Sequence, residues 1–145
     1  MKQSKKALKQ IFGNHSEGLK YMEAVLSNEK SPILFAEGPG AAAFAEWMSH
    51  LMNDHAILDH HSFNNDHNNR SESLLIVKDV DEIHDGTIQA AVAARDNYKN
   101  VVISSKKHPK LLDYVNDPAF QIIYVDDLNI DDLKREISSL MDVIS

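Results

Sequence analysis

Residues able to do chemistry gather at four places along the 145-residue chain. The first is Glu37-Gly38-Pro39-Gly40-Ala41, a glycine turn between an apolar run and a helical stripe. Backbone N–H groups in such a turn, ahead of a helix N-terminus, favour an anion. A phosphate loop of the G-x-x-x-x-G-K-[ST] kind also needs a lysine for the phosphates and a hydroxyl for magnesium. Ala41-Ala42-Ala43-Phe44 supplies neither, and the competing role is a tight turn of small residues made for packing. The second place is Lys78-Asp79-Val80-Asp81-Glu82. Acids after an apolar strand hold magnesium and polarise water, or simply lie in solvent, and Lys78 falls where the strand would point inward. The third is Ser104-Ser105-Lys106-Lys107-His108, hydroxyls and cations that suit a phosphate or a solvated loop.

The fourth place holds His55, His60, His61 and His67, with Asp54, Asp59 and Asp66 among them. Zinc needs three or four converging ligands, usually histidines at fixed short spacing. His55 and His60 are five apart, and the adjacent His60 and His61 point to opposite faces if extended. A polar loop over residues 54–70 with no metal is the expectation. Ser62 lies beside His61, but nothing has the form of a G-x-S-x-G elbow, so no catalytic residue is assigned.

The elements that must position these residues are legible as apolar patterning. Leu8, Ile11 and Phe12 repeat at helical spacing and Gly13-Asn14 stops them. Ser16 is placed to cap a second helix whose stripe is Leu19, Met22, Val25 and Leu26. Ile33-Leu34-Phe35-Ala36 is the continuous apolar run of a strand covered on both faces. A third helix carries Phe44, Trp47, Met48 and Leu51. Ala56-Ile57-Leu58, Leu74-Leu75-Ile76-Val77, Val101-Val102-Ile103 and Ile122-Ile123-Tyr124-Val125 read as four more strands. Between them come a helix over 86–97 with Ile88 and Val92, and a short helix begun by Pro109 with Leu111, Leu112 and Val115. The last helix starts near Asn129 or Asp131, its acids at the positive end of the helix dipole, with a stripe of Leu133, Ile137, Leu140 and Ile144. Strands alternating with helices predict one α/β domain over 1–145, a three-layer α/β/α fold with a mainly parallel, about five-stranded sheet.

Composition excludes several classes. With 15 Lys and Arg against 22 Asp and Glu, the net charge is -7, so no direct nucleic-acid contact through a basic face is expected. The absence of cysteine removes disulfides, thiolate zinc sites and a thiol nucleophile. No apolar run approaches the roughly 20 residues that span a bilayer, and no signal core follows the basic first residues. The expectation is a cytoplasmic protein without membrane contact.

The order of these segments resembles the AAA+ ATPases, in particular the sigma-54-interaction class of bacterial transcription activators. Ile11-Phe12-Gly13-Asn14-His15-Ser16, a helix, and then Ile33 to Gly40 is similar to that family's G-x-S element, helix and Walker A strand. Leu74 to Ile83, followed by Ile88-Gln89-Ala90-Ala91, resembles the Walker B strand and its helix, and Val101 to Ser105 resembles the sensor strand. Phe120 to Tyr124, then Leu128 and Leu133-Lys134-Arg135-Glu136, is similar to the close of the α/β core. The resemblance implies a P-loop NTPase fold in which Glu37, Gly38, Pro39, Gly40 and Ala41 take the phosphate-binding place. It puts Lys78, Asp79, Asp81 and Glu82 at the Walker B place and Ser104 and Ser105 at the sensor place.

Departures from the family pattern are equally specific. The Walker A lysine and hydroxyl are missing, and Lys78 stands where the Walker B aspartate would be. There is no room for the G-A-F-T-G-A loop between the two regions, and the chain ends at Ser145 without the helical lid. The resemblance so qualified implies a domain without ATPase activity or a required cofactor, working through a protein partner or self-association. ATP with magnesium would be its residual ligand. Trp47, Met48 and Met52 read most simply as core; if Trp47 or Met141 is left exposed, the apolar patch would serve such contacts. Gly38 to Glu46 is also similar to the G-x-G-x-S turn of sugar-isomerase domains, with Ala42 in place of the serine and Asp85-Gly86-Thr87 near their second phosphate loop. That alternative implies a sugar-phosphate binder or isomerase.

Overall fold

Apolar runs of five or so residues flanked by turns can leave water only if their backbone groups pair with one another, and here they do so side by side. The structure, a computed structural model, describes residues 6–52, 55–59, 74–80, 83, 85–105, 113–114, 116–126 and 130–144. Its strands are β1 (Ile33–Glu37), β2 (His55–Asp59), β3 (Leu74–Val80), β4 (Asn100–Ser105) and β5 (Phe120–Tyr124). They form one sheet in the order β2-β3-β4-β1-β5, with every neighbouring pair parallel. The helices are α1 (Lys6–Phe12), α2 (His15–Leu26), α3 (Ala41–Leu51), α4 (Asp85–Ala94) and α5 (Ile130–Ile144).

Every residue of β1 and β4 is buried, as a central strand of a parallel sheet covered on both faces requires. Alternate side chains feed two cores. Leu34, Ala36, Ile76, Val102 and Ile123 join residues of α1, α2, α3 and α5. Ile33, Phe35, Leu75, Val77 and Ile103 join Ile88 and Ala91 of α4, with Tyr98 and Phe120. The result is a three-layer α/β/α fold. At the entrance to the sheet Ser31 Oγ donates to Asn100 Oδ1 at 2.5 Å, and the Ser31 N–H donates to Lys99 O at 3.1 Å, which sets β1 against β4.

Expectations are corrected at two helices. The N-cap of α2 is Asn14, whose side chain accepts from the N–H groups of Ser16 and Glu17; Ser16 is already inside the helix. Gly13, at φ +80, turns the chain between α1 and α2. The helix expected over 86–97 stops at Ala94, and Val92 is exposed rather than part of its buried stripe. Trp47 is half-buried against the core, in keeping with its reading as core. The proposed helix at Pro109, Leu111, Leu112 and Val115 lies outside the described residues, as does the Met141 side chain.

A helix of seven residues is unstable by itself in water, so α1 exists through its contacts. Ala7, Leu8, Ile11 and Phe12 are all buried, and the Phe12 and Tyr21 rings lie 5.5 Å apart. Its first-turn N–H groups are met by a carboxylate from the far end of the chain. Glu136 Oε1 accepts from Ala7 N–H at 2.8 Å and Oε2 from Leu8 N–H at 3.0 Å. Glu136 is buried, one position from the fully buried Ile137. The anion both fills orphan donors and faces the positive end of the helix.

Hydrogen bonds to a charged acceptor contribute more than neutral ones, so Glu136→Ala should cost about 2–3 kcal/mol of unfolding free energy. Glu136→Gln should cost less, because its amide oxygen still accepts. Urea midpoints at unchanged slope would measure both. Exposed Lys134→Ala is the control, expected within about 0.5 kcal/mol of the parent; a Glu136→Ala midpoint no lower than this control would contradict the cap.

Candidate functional site

In an open parallel sheet a ligand crevice forms beyond the carboxyl ends of two adjacent strands whose following connections leave over opposite faces. That pair here is β1 and β4. From β1 the chain continues into α3, on the face shared with α1, α2 and α5. After β4 it passes Tyr114, which packs in the other core with α4. The crevice is therefore bounded by the Glu37-to-Ala41 turn and by Ser104 and Ser105.

Register fixes which side chains share it. Glu37 is level with Ser105 on β4 and with Tyr124 on β5, so these three project to the α4 face. Ser104 is level with Ala36 and projects to the α3 face, because neighbouring strand residues alternate. The two serines therefore do not act as a pair. Glu37, Ser104 and Ser105 are all buried, and Ser105 Oγ has no hydrogen-bond partner.

The glycine turn is closed from within the protein. The Val125 N–H donates to Glu37 O at 2.8 Å, and the Gly40 N–H donates to Val125 O at 2.8 Å. The Ala41 N–H donates to Gly38 O at 3.1 Å, and Pro39 has no N–H. Gly38 adopts φ +108, and a Cβ there would sit 2.6 Å from Val125 O. At Gly40 a Cβ would lie 2.9 Å from the carbonyl of Asp126. Both glycines are required because two backbone segments touch. The donors that a phosphate cradle would direct outward at 40 and 41 are engaged inside the turn.

On the other flank, β3 lies two places from β1, with β4 between them. Neighbouring strands are about 4.8 Å apart, so its end is on the order of 10 Å from the glycine turn. Lys78 is exposed, contrary to the inward position expected for it, and a register irregularity between Val77 and Val80 marks this stretch. Asp79 is the penultimate residue of β3; Asp81 and Glu82 lie outside the described residues. So do Asp54, His60, His61, Asp66 and His67, while His55 and Asp59 are the end residues of β2. Among the described residues no group of three His, Asp or Glu is placed to hold a metal ion, and no helix is long and apolar enough to cross a membrane.

Two features escaped the sequence reading. One is Glu136, whose signal is its position three residues after Leu133 on the buried stripe. The other is a cavity of about 710 Å³ at the opposite, N-terminal ends of β1 and β5, lined by Lys20, Tyr21, Lys30, Arg95 and Gln121 among others. Its residues come from segments far apart in sequence, and no local pattern announces it. No family model matches the chain, and no curated protein matches it either.

The geometry of the turn separates two glycine substitutions. Gly38→Ala combines a left-handed backbone with a backbone clash and should destabilise by about 3 kcal/mol or more. Gly13→Ala has a similar φ but open space around its Cβ, so it should cost only about 1–2 kcal/mol. Thermal and urea unfolding of the two variants would check this; equal losses would mean that contact with Val125 does not constrain the turn.

Proposed function

We propose that this chain is an AAA+-like regulatory domain of the sigma-54-interaction type that does not hydrolyse ATP and acts through protein contacts, in bacterial transcription regulation. The observation that carries the reading is the strand order β5-β1-β4-β3-β2 together with the closed glycine turn. In an AAA+ core the Walker A strand lies between the last strand and the sensor strand, and the Walker B strand lies beyond the sensor strand. β1, β4 and β3 occupy those relative places.

The crevice supports the absence of hydrolysis. A phosphate loop needs outward N–H groups and a lysine. Gly40 and Ala41 direct their N–H groups to Val125 and Gly38, and Ala41 to Phe44 bring no cation. Glu37 places a buried carboxylate at the strand end, a charge of the same sign as a phosphate. With the nucleotide chemistry removed, what the fold still offers is its surface.

The sugar-isomerase alternative has less support. Those domains wind their sheet in the flavodoxin-like order 2-1-3-4-5, which places the first strand differently from β1 here. Ala42 also lacks the hydroxyl that such a turn uses.

Purified protein with magnesium and ATP should release no phosphate above the buffer blank. Turnover that follows the protein through successive purification steps would overturn the proposal. Incubation with hexose and pentose phosphates should likewise give no aldose–ketose exchange; such exchange would establish the alternative.

A further inference from the structure

We propose that the cavity at the N-terminal ends of β1 and β5 is an effector site for a small phosphomonoester carried on an apolar body. It lies at the opposite end of the sheet from the glycine turn and does not depend on the AAA+-like reading.

Three cations line this cavity: Lys20 from α2, Lys30 from the approach to β1, and Arg95 just after α4. Among the described residues none of them forms an ion pair. In a chain of net charge -7, three cations against the two carboxylates of Glu17 and Asp117 leave a small local excess of positive charge around the cavity, which favours an anion. Arg95 is half-buried, and its Nε is shielded from water with no hydrogen-bond partner. A buried guanidinium N–H left unmatched is costly, and an oxyanion entering the cavity would match it. Glu17 and Asp117 also line the space. Asp117 Oδ1 is already engaged by the Ala119 N–H at 2.9 Å, and the positive charges remain in excess.

A second donor is built into the wall. Tyr21 is 2% exposed, and its hydroxyl lies beside the Ser31 hydroxyl without a hydrogen bond of full geometry. The neighbouring Ser31 directs its own proton to Asn100 Oδ1. Burial, the larger influence, raises the Tyr21 phenol above its ordinary range, against a smaller lowering by Ser31. The phenol therefore stays protonated and able to donate.

The charge of the ligand follows from this set. A phosphomonoester carries about -1.5 to -2 near neutral pH and three acceptor oxygens, enough for a guanidinium fork, a phenol and the lysines. A single carboxylate, with two acceptor oxygens, would leave more of these donors unmatched. Phe12, Pro32 and Ile122 supply apolar wall for the body that bears the phosphate. The volume of about 710 Å³ lies within the roughly 300–1,000 Å³ of small-molecule sites.

The test is a titration of the full chain with phenyl phosphate, followed by backbone amide NMR. Saturable shifts are expected at Ser31, Arg95 and Gln121 and not at Gly38 or Gly40, and affinity should fall as salt rises. Inorganic phosphate should bind the same residues more weakly, because it lacks the apolar body. Arg95→Gln should weaken phenyl phosphate by about tenfold or more, and Arg95→Lys by less. The double variant Lys20→Gln/Lys30→Gln changes two exposed positions, keeps the fold, and should also weaken binding several-fold. No saturable shift at millimolar phenyl phosphate would overturn the assignment, as would shifts confined to the glycine turn. It would equally fall if citrate bound while phenyl phosphate did not, if inorganic phosphate bound as tightly, or if Arg95→Gln and the double variant bound like the parent.

Discussion

The rest of the structure depends on a reciprocal pair of backbone hydrogen bonds around Val125. Its N–H reaches Glu37 O and its carbonyl receives the Gly40 N–H, so the chain beyond β5 is bound to both sides of the β1–α3 turn. Only glycine tolerates that approach at positions 38 and 40. Through it α3 starts at a fixed angle on its face of the sheet, and α5 departs on the same face to meet α1. Val125 is itself fully buried, so these bonds lie away from competing water, where leaving either group unpaired would be costly.

The same closure divides the molecule chemically. At the carboxyl ends of the strands lie a carboxylate, two serines of opposite orientation and a turn whose donors at 40 and 41 are engaged. At the amino ends lies an open cavity with unmatched cations and a buried phenol. The unmatched cationic donors therefore lie at the pole opposite the glycine turn.

Much of the fold was legible because burial on both faces writes itself into continuous apolar runs. Ile33 to Ala36, Leu74 to Val77 and Val101 to Ile103 need no partner information to be read as strands. Cap position was less legible: Asn14 and Ser16 are both good capping residues, and the choice between them rests on where Gly13 turns the chain. Val92 fits a helical stripe in sequence, yet α4 buries Ile88 and Ala91 and leaves Val92 in solvent. Lys78 seemed inward by strand alternation, which fails at the register irregularity beside it. The candidate turn was found by its glycines, but what they are for depends on Val125 and Asp126, more than eighty residues away. The cationic cavity was invisible for the same reason, since it is assembled from α2, the approach to β1, the end of α4 and β5.

The contact between Glu136 and α1 also sets an order of events during synthesis. A seven-residue helix cannot hold itself, and the carboxylate that receives its first-turn donors is separated from them by 128 and 129 positions. Chains emerge from the ribosome N-terminus first, so α1 must wait, its first-turn N–H groups bonded to water, until residue 136 has been made. α1 can thus pack against α2 well before it acquires its cap, and a chain interrupted before residue 136 would lack the acceptor that finishes it.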